Sequence, residues 1–304
     1  LATNARVYIN GQYTGLYSQV EDVEKRFLYR RGFNIHGNLY KPFYGSLKPV
    51  PPEKDYEEWW GRHYDNKTYG QRTHDDLRAF INLIDQTPDA EFPTTIASVL
   101  DVNGWIDWYA ANILLGNFEM IDKNHYIYHD LSTDRWHFLP WDVDLALGHN
   151  AGFGGLGELF DPYISWDNPL DSGTAESPKI DGKWNRLIDR MMDVNMPEFR
   201  YFYGRRLVEM MENEFSPEAM FPRIDWFFEA IAPYADADPL RWRPEGFSFA
   251  DGPNELKIYI SNRRAWIYEK LPGFMPNLSP PLILNEMMAH NTTAWTDEVG
   301  EYAP

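Results

Sequence analysis

The sequence contains no cysteine, which excludes disulfide bonds, thiolate zinc sites and cysteine nucleophiles. Basic residues are also few: 28 Lys and Arg stand against 46 Asp and Glu, and the formal net charge is −18. No dense cluster of Lys and Arg interrupts this acidity, so we expect no nucleic-acid partner. No apolar run reaches the roughly 18 residues that a membrane span needs, so we expect no membrane span.

What is present indicates a folded protein with a sizeable core, since 43% of the 304 residues are hydrophobic and 16% are aromatic. Near the start, RVYINGQYTGLYSQVE alternates apolar and polar residues around Asn10-Gly11, which predicts a β-hairpin over residues 6–20. NLYKPFYG predicts a further short strand over residues 38–45. The proline-rich, charged and aperiodic stretch 48–70 predicts a loop or insertion.

Helical and hairpin patterns follow. Apolar residues at helical spacing predict a helix that begins near residues 73–75: Leu77, Phe80, Ile81 and Ile84. Residues 101–117 are apolar on nearly every face and predict a central buried helix. Residues 124–144 predict a second hairpin with its turn at 131–134, and the pattern from Trp184 onward is helical. Strands first and helices later indicate an α+β protein.

Two aspartates, Asp142 and Asp144, stand in the segment HFLPWDVDLALG at the end of the second hairpin. Residues two apart on a strand share a face, so both carboxylates could bind one hard cation. A solvated strand end would show the same pattern. The apolar residues 137–140 and the flanking Trp141 favour the cation site, because buried carboxylates need a partner or a metal.

Upstream, GNFEMIDKNHYIY places Glu119 five residues before Asn124, with Asp122 between them. An acid, an asparagine five residues later, a short hairpin and then an aspartate is the order of the protein-kinase catalytic loop and metal-binding aspartate. One carboxylate would orient the attacking hydroxyl, while the amide and the later aspartate would hold Mg²⁺ on the phosphates. The spacing between the acid and the asparagine is, by itself, weak support for a kinase site.

Four segments together are more specific: VYINGQYTGLYSQVEDV, GNLYK, GNFEMIDKNHYIYHD and WHFLPWDVDLALG. They resemble the CotH family, the spore-coat protein H atypical kinases, and PEFRYFYGRRL with Arg241-Trp242 fits the helical half of that family. The resemblance runs from about Val7 to Leu271. It implies an α+β, atypical protein-kinase-like fold over residues 1–275, with a β-rich N-terminal part (an incomplete N-lobe) and a mostly helical C-lobe. A strand-rich segment that the family carries before the first hairpin is expected to be missing.

The resemblance also implies roles for individual residues. ATP and Mg²⁺ or Mn²⁺ would be the cofactors. Lys41 would contact the ATP phosphates and Glu21 would pair with it, while Trp141 would line the nucleotide site. Asn124 and Asp142 would be metal ligands, supported by Asp144. Without the resemblance, Lys41 is an ordinary surface lysine and Glu21 an ordinary strand-end charge.

The sequence departs from the family at the catalytic base. Family members commonly carry Asn-x-Asp where this chain has Asn117-Phe118-Glu119. The extra methylene moves the carboxylate by about 1.5 Å, and misplacements of that order can cost about 100-fold in rate. Asp122 could substitute as the base, although its spacing to Asn124 differs from the kinase pattern.

The C-terminal residues 276–304 follow a proline-rich break and resemble the opening of a lamin-tail domain, so we expect a linker and the truncated start of that domain. Lamin-tail domains follow CotH domains in large secreted proteins. This resemblance predicts an extracellular or cell-surface location with further extracellular domains beside it.

Two other patterns in the sequence suggest ligand sites. GFGGLG at 152–157 matches G-x-G-x-x-G, but no helix pattern opens on it, which favours a glycine loop beside the metal site over a dinucleotide fingerprint. His125, His129, His137 and His149 lie close together in sequence without zinc-ligand spacing. We expect His125 and His137 to be strand residues with satisfied hydrogen bonds.

The resemblance therefore implies a CotH-like ATP- and Mg²⁺-dependent kinase that phosphorylates Ser or Thr on a secreted or surface partner. One alternative is a non-catalytic pseudokinase that acts as a scaffold or adhesion module, which the Glu119 exchange favours. Another is a cation-dependent carbohydrate-active protein, suggested by 12 Trp and 19 Tyr, although such aromatics more often pack in a core.

Overall fold

The computed structural model describes residues 2–144, 146–150, 159–160, 185–235 and 249–275. The strands are β1 (Ala2–Ile9), β2 (Gln12–Val20), β3 (Asn38–Pro42), β4 (Tyr64–Asn66), β5 (His125–Asp130), β6 (Arg135–Pro140), β7 (His149–Asn150) and β8 (Leu159–Phe160). The helices are α1 (Lys25–Arg30), α2 (Glu57–His63), α3 (Asp75–Gln86), α4 (Phe92–Val99), α5 (Val102–Leu115), α6 (Arg186–Met191), α7 (Pro197–Glu212), α8 (Pro217–Ala235) and α9 (Gly252–Phe274). Strands dominate the first part and helices the last, so the predicted α+β class is confirmed.

The first predicted hairpin is confirmed. β1 and β2 pair antiparallel, with Ile9 opposite Gln12 across the turn. The two turn residues, Asn10 and Gly11, have φ angles of 52° and 79°, which the Asn-Gly pair tolerates better than most dipeptides. The hairpin rests on α8, where the Tyr13 hydroxyl donates to the Tyr234 carbonyl at 3.1 Å.

The sheet that positions the site has four antiparallel strands in the order β4-β3-β5-β6. β5 and β6 form the second predicted hairpin, which is confirmed with its turn at residues 131–134. Their register runs from Asp130 opposite Arg135 at the turn to His125 opposite Pro140 at the far end. Asn124 and Trp141, the next residues along the two strands, therefore leave the sheet at the same end.

The prediction of a loop over residues 48–70 is wrong. This stretch contains a short 3₁₀ turn, helix α2 and strand β4, which adds an edge strand beside β3. Tertiary contacts outweigh the irregular local pattern: Trp60 is buried and its indole nitrogen donates to Asp55 at 2.7 Å. His74, just before α3, has its Nε2 2.8 Å from the Tyr64 carbonyl oxygen at the start of β4.

The main core fills one face of the sheet, where Tyr40, Ile127, Trp136 and Phe138 pack with α3, α5 and the later helices. A smaller core covers the other face, where Leu39, Tyr126, Tyr128 and Leu139 pack with α1. This division follows the alternation of side chains along each strand. Lys41, two residues after Leu39, lies on the smaller-core face and next to Tyr126.

Helices α3 and α5 both match their predictions. α3 buries the four apolar residues that predicted it. Asp101 caps the start of α5, where its carboxylate accepts the backbone N–H of Gly104 at 3.1 Å, and Gly116, with φ 69°, caps its end. Gly116 turns the chain directly into the predicted catalytic loop.

The C-terminal helices pack around the end of α5. Arg263 of α9 is 1% exposed and donates from Nε and Nη2 to the Ile113 carbonyl at 3.0 and 2.6 Å. The Tyr259 hydroxyl donates to the Leu114 carbonyl at 3.0 Å. Helix α9 therefore supplies side-chain donors to carbonyls in the last turn of α5, where regular helical hydrogen bonds run out.

Two predicted features lie outside the described residues: the glycine loop 152–157 and the lamin-tail-like segment 276–304. Within the described part of the chain, no helix combines the length and the apolar character that crossing a bilayer would require.

Candidate active site

The predicted site residues gather where β5 begins and β6 ends. Asn124 precedes β5, and Trp141 with Asp142 follows β6, so the register between the two strands brings these segments side by side. Lys41 approaches from the neighbouring strand β3, with its Nζ 3.5 Å from the His125 carbonyl oxygen. Glu119 joins them through its hydrogen bond with Asn124.

Asp142 and Asp144 do not lie on a strand as predicted, because β6 ends at Pro140. Asp142 has φ 57°, which turns the chain away from the sheet, and both side chains are exposed. Their predicted burial is therefore wrong, but their proximity holds, since the two side chains share a hydrogen bond. Partial desolvation, the charge of Asp144 and this shared bond raise the pKa of Asp142, and Lys41 acts against the rise.

Glu119 lies in a 3₁₀ turn, Phe118–Ile121, directly after α5. Its Oε2 accepts a hydrogen bond from the Asn124 amide at 2.8 Å, and its Oε1 forms an ion pair with Lys123. Asn124 is 5% exposed and has φ 48°. Such left-handed backbone is uncommon outside glycine and concentrates at functional sites. Asn124 and Asp142, the two expected metal ligands, both adopt it.

Lys41 is half-buried on β3, and its Nζ lies 5.2 Å from the centre of the Tyr126 ring. Burial lowers the pKa of Lys41 to about 8, although the negative charges of Asp142 and Glu119 favour its protonated form. Lys41 is therefore electrostatically coupled both to Asp142, after β6, and to Glu119, after α5. Its position fits a phosphate-binding role.

The expected pair between Glu21 and Lys41 is not what the structure contains. Glu21 instead forms ion pairs with Arg30 at 2.8 Å and Arg31 at 3.5 Å, at the end of α1. The hydrogen bond from Arg30 is the largest influence on the pKa of Glu21, which is lowered. Helix α1 brings these arginines to the acid from only nine or ten positions along the chain, which the sequence pattern did not reveal.

Trp141 packs edge-on against Tyr126, with ring centres 5.6 Å apart and planes at 83°. Both rings belong to the smaller core, on the face of the sheet that also carries Lys41. Trp141 is only partly buried, so some of its surface is available beside Lys41 and Asp142. This is where an aromatic wall of a nucleotide site would be needed.

Asp122, the other candidate base, is partly buried at the end of the same 3₁₀ turn. Burial raises the pKa of its carboxyl, with Lys123 acting against the rise and Glu119 adding to it. Its backbone carbonyl accepts the N–H of Gly45 at 2.8 Å, which ties the segment after β3 to the turn. Asp122 is thus close to the site, but Glu119 is the acid bonded to Asn124.

The donor set suits a hard cation that also binds phosphate. Asp142 and Asp144 supply carboxylate oxygens, and the Asn124 amide donates to Glu119 through its nitrogen, which leaves its oxygen available for a cation. Across the described ranges, no group of three or more His, Asp and Glu side chains could hold a metal ion alone. Mg²⁺ commonly binds one or two carboxylates and takes its other ligands from substrate phosphates and water. These residues therefore fit Mg²⁺ held together with a nucleotide.

The histidines have structural partners. His125 and His137 lie on strands as predicted, with Nδ1 atoms 2.6 Å from the Lys123 carbonyl and 3.2 Å from Asp101. The expectation of satisfied hydrogen bonds is wrong for His125, because its buried Nε2 has no hydrogen-bond partner in the described part of the chain. His129 is bound on both sides, by Asp76 at 2.8 Å and Asp134 at 2.9 Å. The side chain of His149 lies outside the described residues.

Sequence reasoning missed Lys123, the cation paired with Glu119. The position of Lys123 directly before Asn124, an expected metal ligand, was the sequence feature that could have indicated it. Reasoning from the sequence also missed Asp76, which binds residues of both β3 and β5 from α3.

Comparison with known proteins agrees with this arrangement. The family model described as CotH kinase protein matches residues 2–267. Inner spore coat protein H of Bacillus subtilis (strain 168) is 25% identical to the chain over 271 residues, which cover 88% of this chain and 68% of that protein. A match that spans most of the chain, and includes every predicted site residue, shows that the chain belongs to the CotH kinase family.

Proposed function

We propose that this chain is an ATP- and Mg²⁺-dependent protein kinase that phosphorylates Ser or Thr on a secreted or surface partner. The observation that carries the proposal is the meeting of Glu119, Asn124 and Asp142 with Lys41 at one end of the sheet. Phosphoryl transfer needs mainly positioning and charge stabilisation, and this set supplies both.

Each residue has a part in the transfer. Lys41 binds phosphate oxygens, Trp141 lines the nucleotide site, and Asn124, Asp142 and Asp144 hold the metal. Bound Mg²⁺ supplies charge neutralisation on the phosphates. The oxygen of the acceptor hydroxyl bonds to the γ-phosphorus, and Glu119 accepts the proton of that hydroxyl. The bond between the γ-phosphorus and the oxygen that bridges it to the β-phosphate breaks, and ADP leaves.

The relative supports a proposal about location. Inner spore coat protein H carries a coat location in its name, and the lamin-tail-like segment 276–304 would suit a protein at a cell surface. We therefore propose a location at a surface or coat, with residues 1–275 as the kinase domain.

Calorimetric titration of ATP with Mg²⁺ or Mn²⁺ tests the nucleotide site directly. We expect metal-dependent binding by the wild type and its loss in Asp142→Ala. Asp225→Ala is the matched control, because it also removes an exposed carboxylate, but one on α8 that forms an ion pair with Lys257 of α9. A second assay follows transfer from γ-labelled ATP to a Ser- and Thr-rich acceptor such as casein. Absence of nucleotide binding by the wild type under either metal would refute the kinase proposal.

One observation favours a second candidate, a non-catalytic scaffold on the same fold. Glu119 replaces the family's usual aspartate and is already bonded to Lys123 and Asn124. This candidate predicts no phosphoryl transfer with either metal, and Glu119→Asp would not restore any. Transfer by the wild type that Asp142→Ala abolishes would exclude it.

A further inference from the structure

Lys123 is a second cation in the site, beside Lys41, and none of the roles above uses its charge. It lies directly before Asn124 and forms an ion pair with Oε1 of Glu119, the proposed base. Its Nζ is also 5.7 Å from the ring centre of Tyr44, which is 59% exposed. Lys123 therefore lies between the base and an open part of the surface.

The charges around Lys123 keep it protonated. Burial opposes its charge, but the hydrogen bond and the negative charge of Glu119 outweigh that effect and raise the pKa of Lys123. Lys123 also acts on Lys41, because its positive charge contributes to the lowered pKa of that residue. Lys41 and Lys123 thus place two positive charges at this end of the sheet. A polyphosphate could bind both cations at once.

We propose that Lys123 is a catalytic residue that binds the γ-phosphate of ATP, and that it exchanges Glu119 for this phosphate when nucleotide enters. The inference rests on the proposed kinase function. Before nucleotide binds, the ion pair neutralises the base. After the exchange, the carboxylate of Glu119 is released to accept the hydroxyl proton, and the ammonium stabilises charge on the transferring phosphoryl group.

Comparison of ATP with ADP separates this role from a structural one. ADP lacks the γ-phosphate, so a residue that binds that group should affect ATP affinity alone. The variants are Lys123→Met, Lys123→Arg and a matched control, Lys67→Met. Lys67 also lowers the pKa of Lys41, but its ion pair is with Asp65, at 2.6 Å, and not with a proposed catalytic residue.

In Lys123→Met, we expect ATP affinity with Mg²⁺ to fall about tenfold and ADP affinity to change by less than about twofold. The rate of phosphoryl transfer at saturating ATP should fall on the order of 100-fold. Lys123→Arg keeps the charge and should recover part of the ATP preference and of the rate. Lys67→Met should leave the ratio of ATP to ADP affinity unchanged.

The outcomes separate the two proposals. If wild type binds ATP in a metal-dependent manner but Lys123→Met retains the same ATP to ADP ratio, the role of Lys123 is overturned and the kinase proposal stands. Equal weakening of ATP and ADP also overturns it, since that result indicates a structural ion pair. If the wild type binds neither nucleotide, both proposals fail.

Discussion

Replacement of Asp76 by alanine should destabilise the protein strongly, because this carboxylate joins three elements. From the first turn of α3, Asp76 accepts hydrogen bonds from Asn38 at 2.8 Å and from the Tyr40 hydroxyl at 2.6 Å, both on β3. It also lies 2.8 Å from Nδ1 of His129 on β5. Lys41 follows Tyr40 directly, so the same contacts fix the strand that carries the lysine proposed to bind phosphate.

The magnitude follows from what the alanine would leave behind. Asn38 and His129 are each 5% exposed and Tyr40 is 0% exposed. Each buried donor left without a partner costs about 1–3 kcal/mol, and removal of one partner of a buried ion pair costs about 3–5 kcal/mol. These costs do not add in full, because one water molecule that enters the vacated space can bond to more than one of the groups that lose Asp76. We therefore expect a loss of about 4 kcal/mol, against a total stability of about 5–15 kcal/mol for typical domains.

Chemical denaturation followed by tryptophan fluorescence measures this loss, and Asp134→Ala provides the control. Asp134 contacts the other nitrogen of the same His129 at 2.9 Å, but its side chain is 82% exposed. An exposed partner contributes about 0–1 kcal/mol. A loss in Asp76→Ala no larger than the loss in Asp134→Ala would refute the argument that burial sets the value of the Asp76 contacts.

The pH dependence supplies a second test of the same reasoning. Burial opposes the charge on His129, but its hydrogen bonds to Asp76 and Asp134 outweigh burial and raise the pKa of His129. The stability from the charged pair is complete below the unfolded pKa of about 6.5 and is lost as pH rises through the folded value. The difference in stability between wild type and Asp76→Ala should therefore narrow from pH 6 to about pH 9. A difference that widens over that range would contradict the assignment.

Three further predictions concern the helical core and the site. Arg263→Met should lower the free energy of unfolding, measured by urea denaturation, by about 2–4 kcal/mol, because two hydrogen bonds to the carboxyl end of α5 are lost. The control Arg223→Met, at an exposed arginine, should change it by less than about 0.5 kcal/mol. Equal losses of unfolding free energy in the two variants would contradict the role of Arg263. Glu119→Gln should reduce single-turnover phosphoryl transfer by about 10²–10⁴-fold without weakening ATP binding, because it also removes the ion-pair partner of Lys123. A transfer rate within about twofold of wild type would exclude Glu119 as the base. Because the pKa of Lys41 is lowered to about 8, ATP affinity measured by calorimetry should weaken as pH rises through that value, and Lys41→Met should lose this pH dependence. A wild-type ATP affinity that does not change from about pH 6.5 to 9.5 would contradict this prediction.

Local patterns predicted the elements that local chemistry determines. Asn10-Gly11 identified the first hairpin because its φ angles favour a two-residue turn. Helical spacing identified α3, and the quoted motifs identified the residues at the end of the sheet that carries Asn124 and Asp142.

Contacts between distant residues could not be read in the same way. Helix α2 and strand β4 depend on contacts such as that of His74 with Tyr64, and not on a periodic sequence. Asp76 meets His129 across 53 positions of chain, which no motif reveals. The pairing of Glu21 with arginines, and the backbone turn that exposes Asp142, likewise depend on where α1 and β6 end.

The antiparallel register of β5 and β6 makes a distant turn relevant to the proposed active site. The turn at residues 131–134 lies at the opposite end of the hairpin from Asn124 and Asp142, about 20 Å away at 3.3 Å per residue over six residues. One residue added to β6 between that turn and Pro140 would move Asp142 along the strand by about 3.3 Å and reverse the faces of the side chains before it. Within this hairpin, homologues that keep the site should therefore vary in the sequence of the two strands but not in their length.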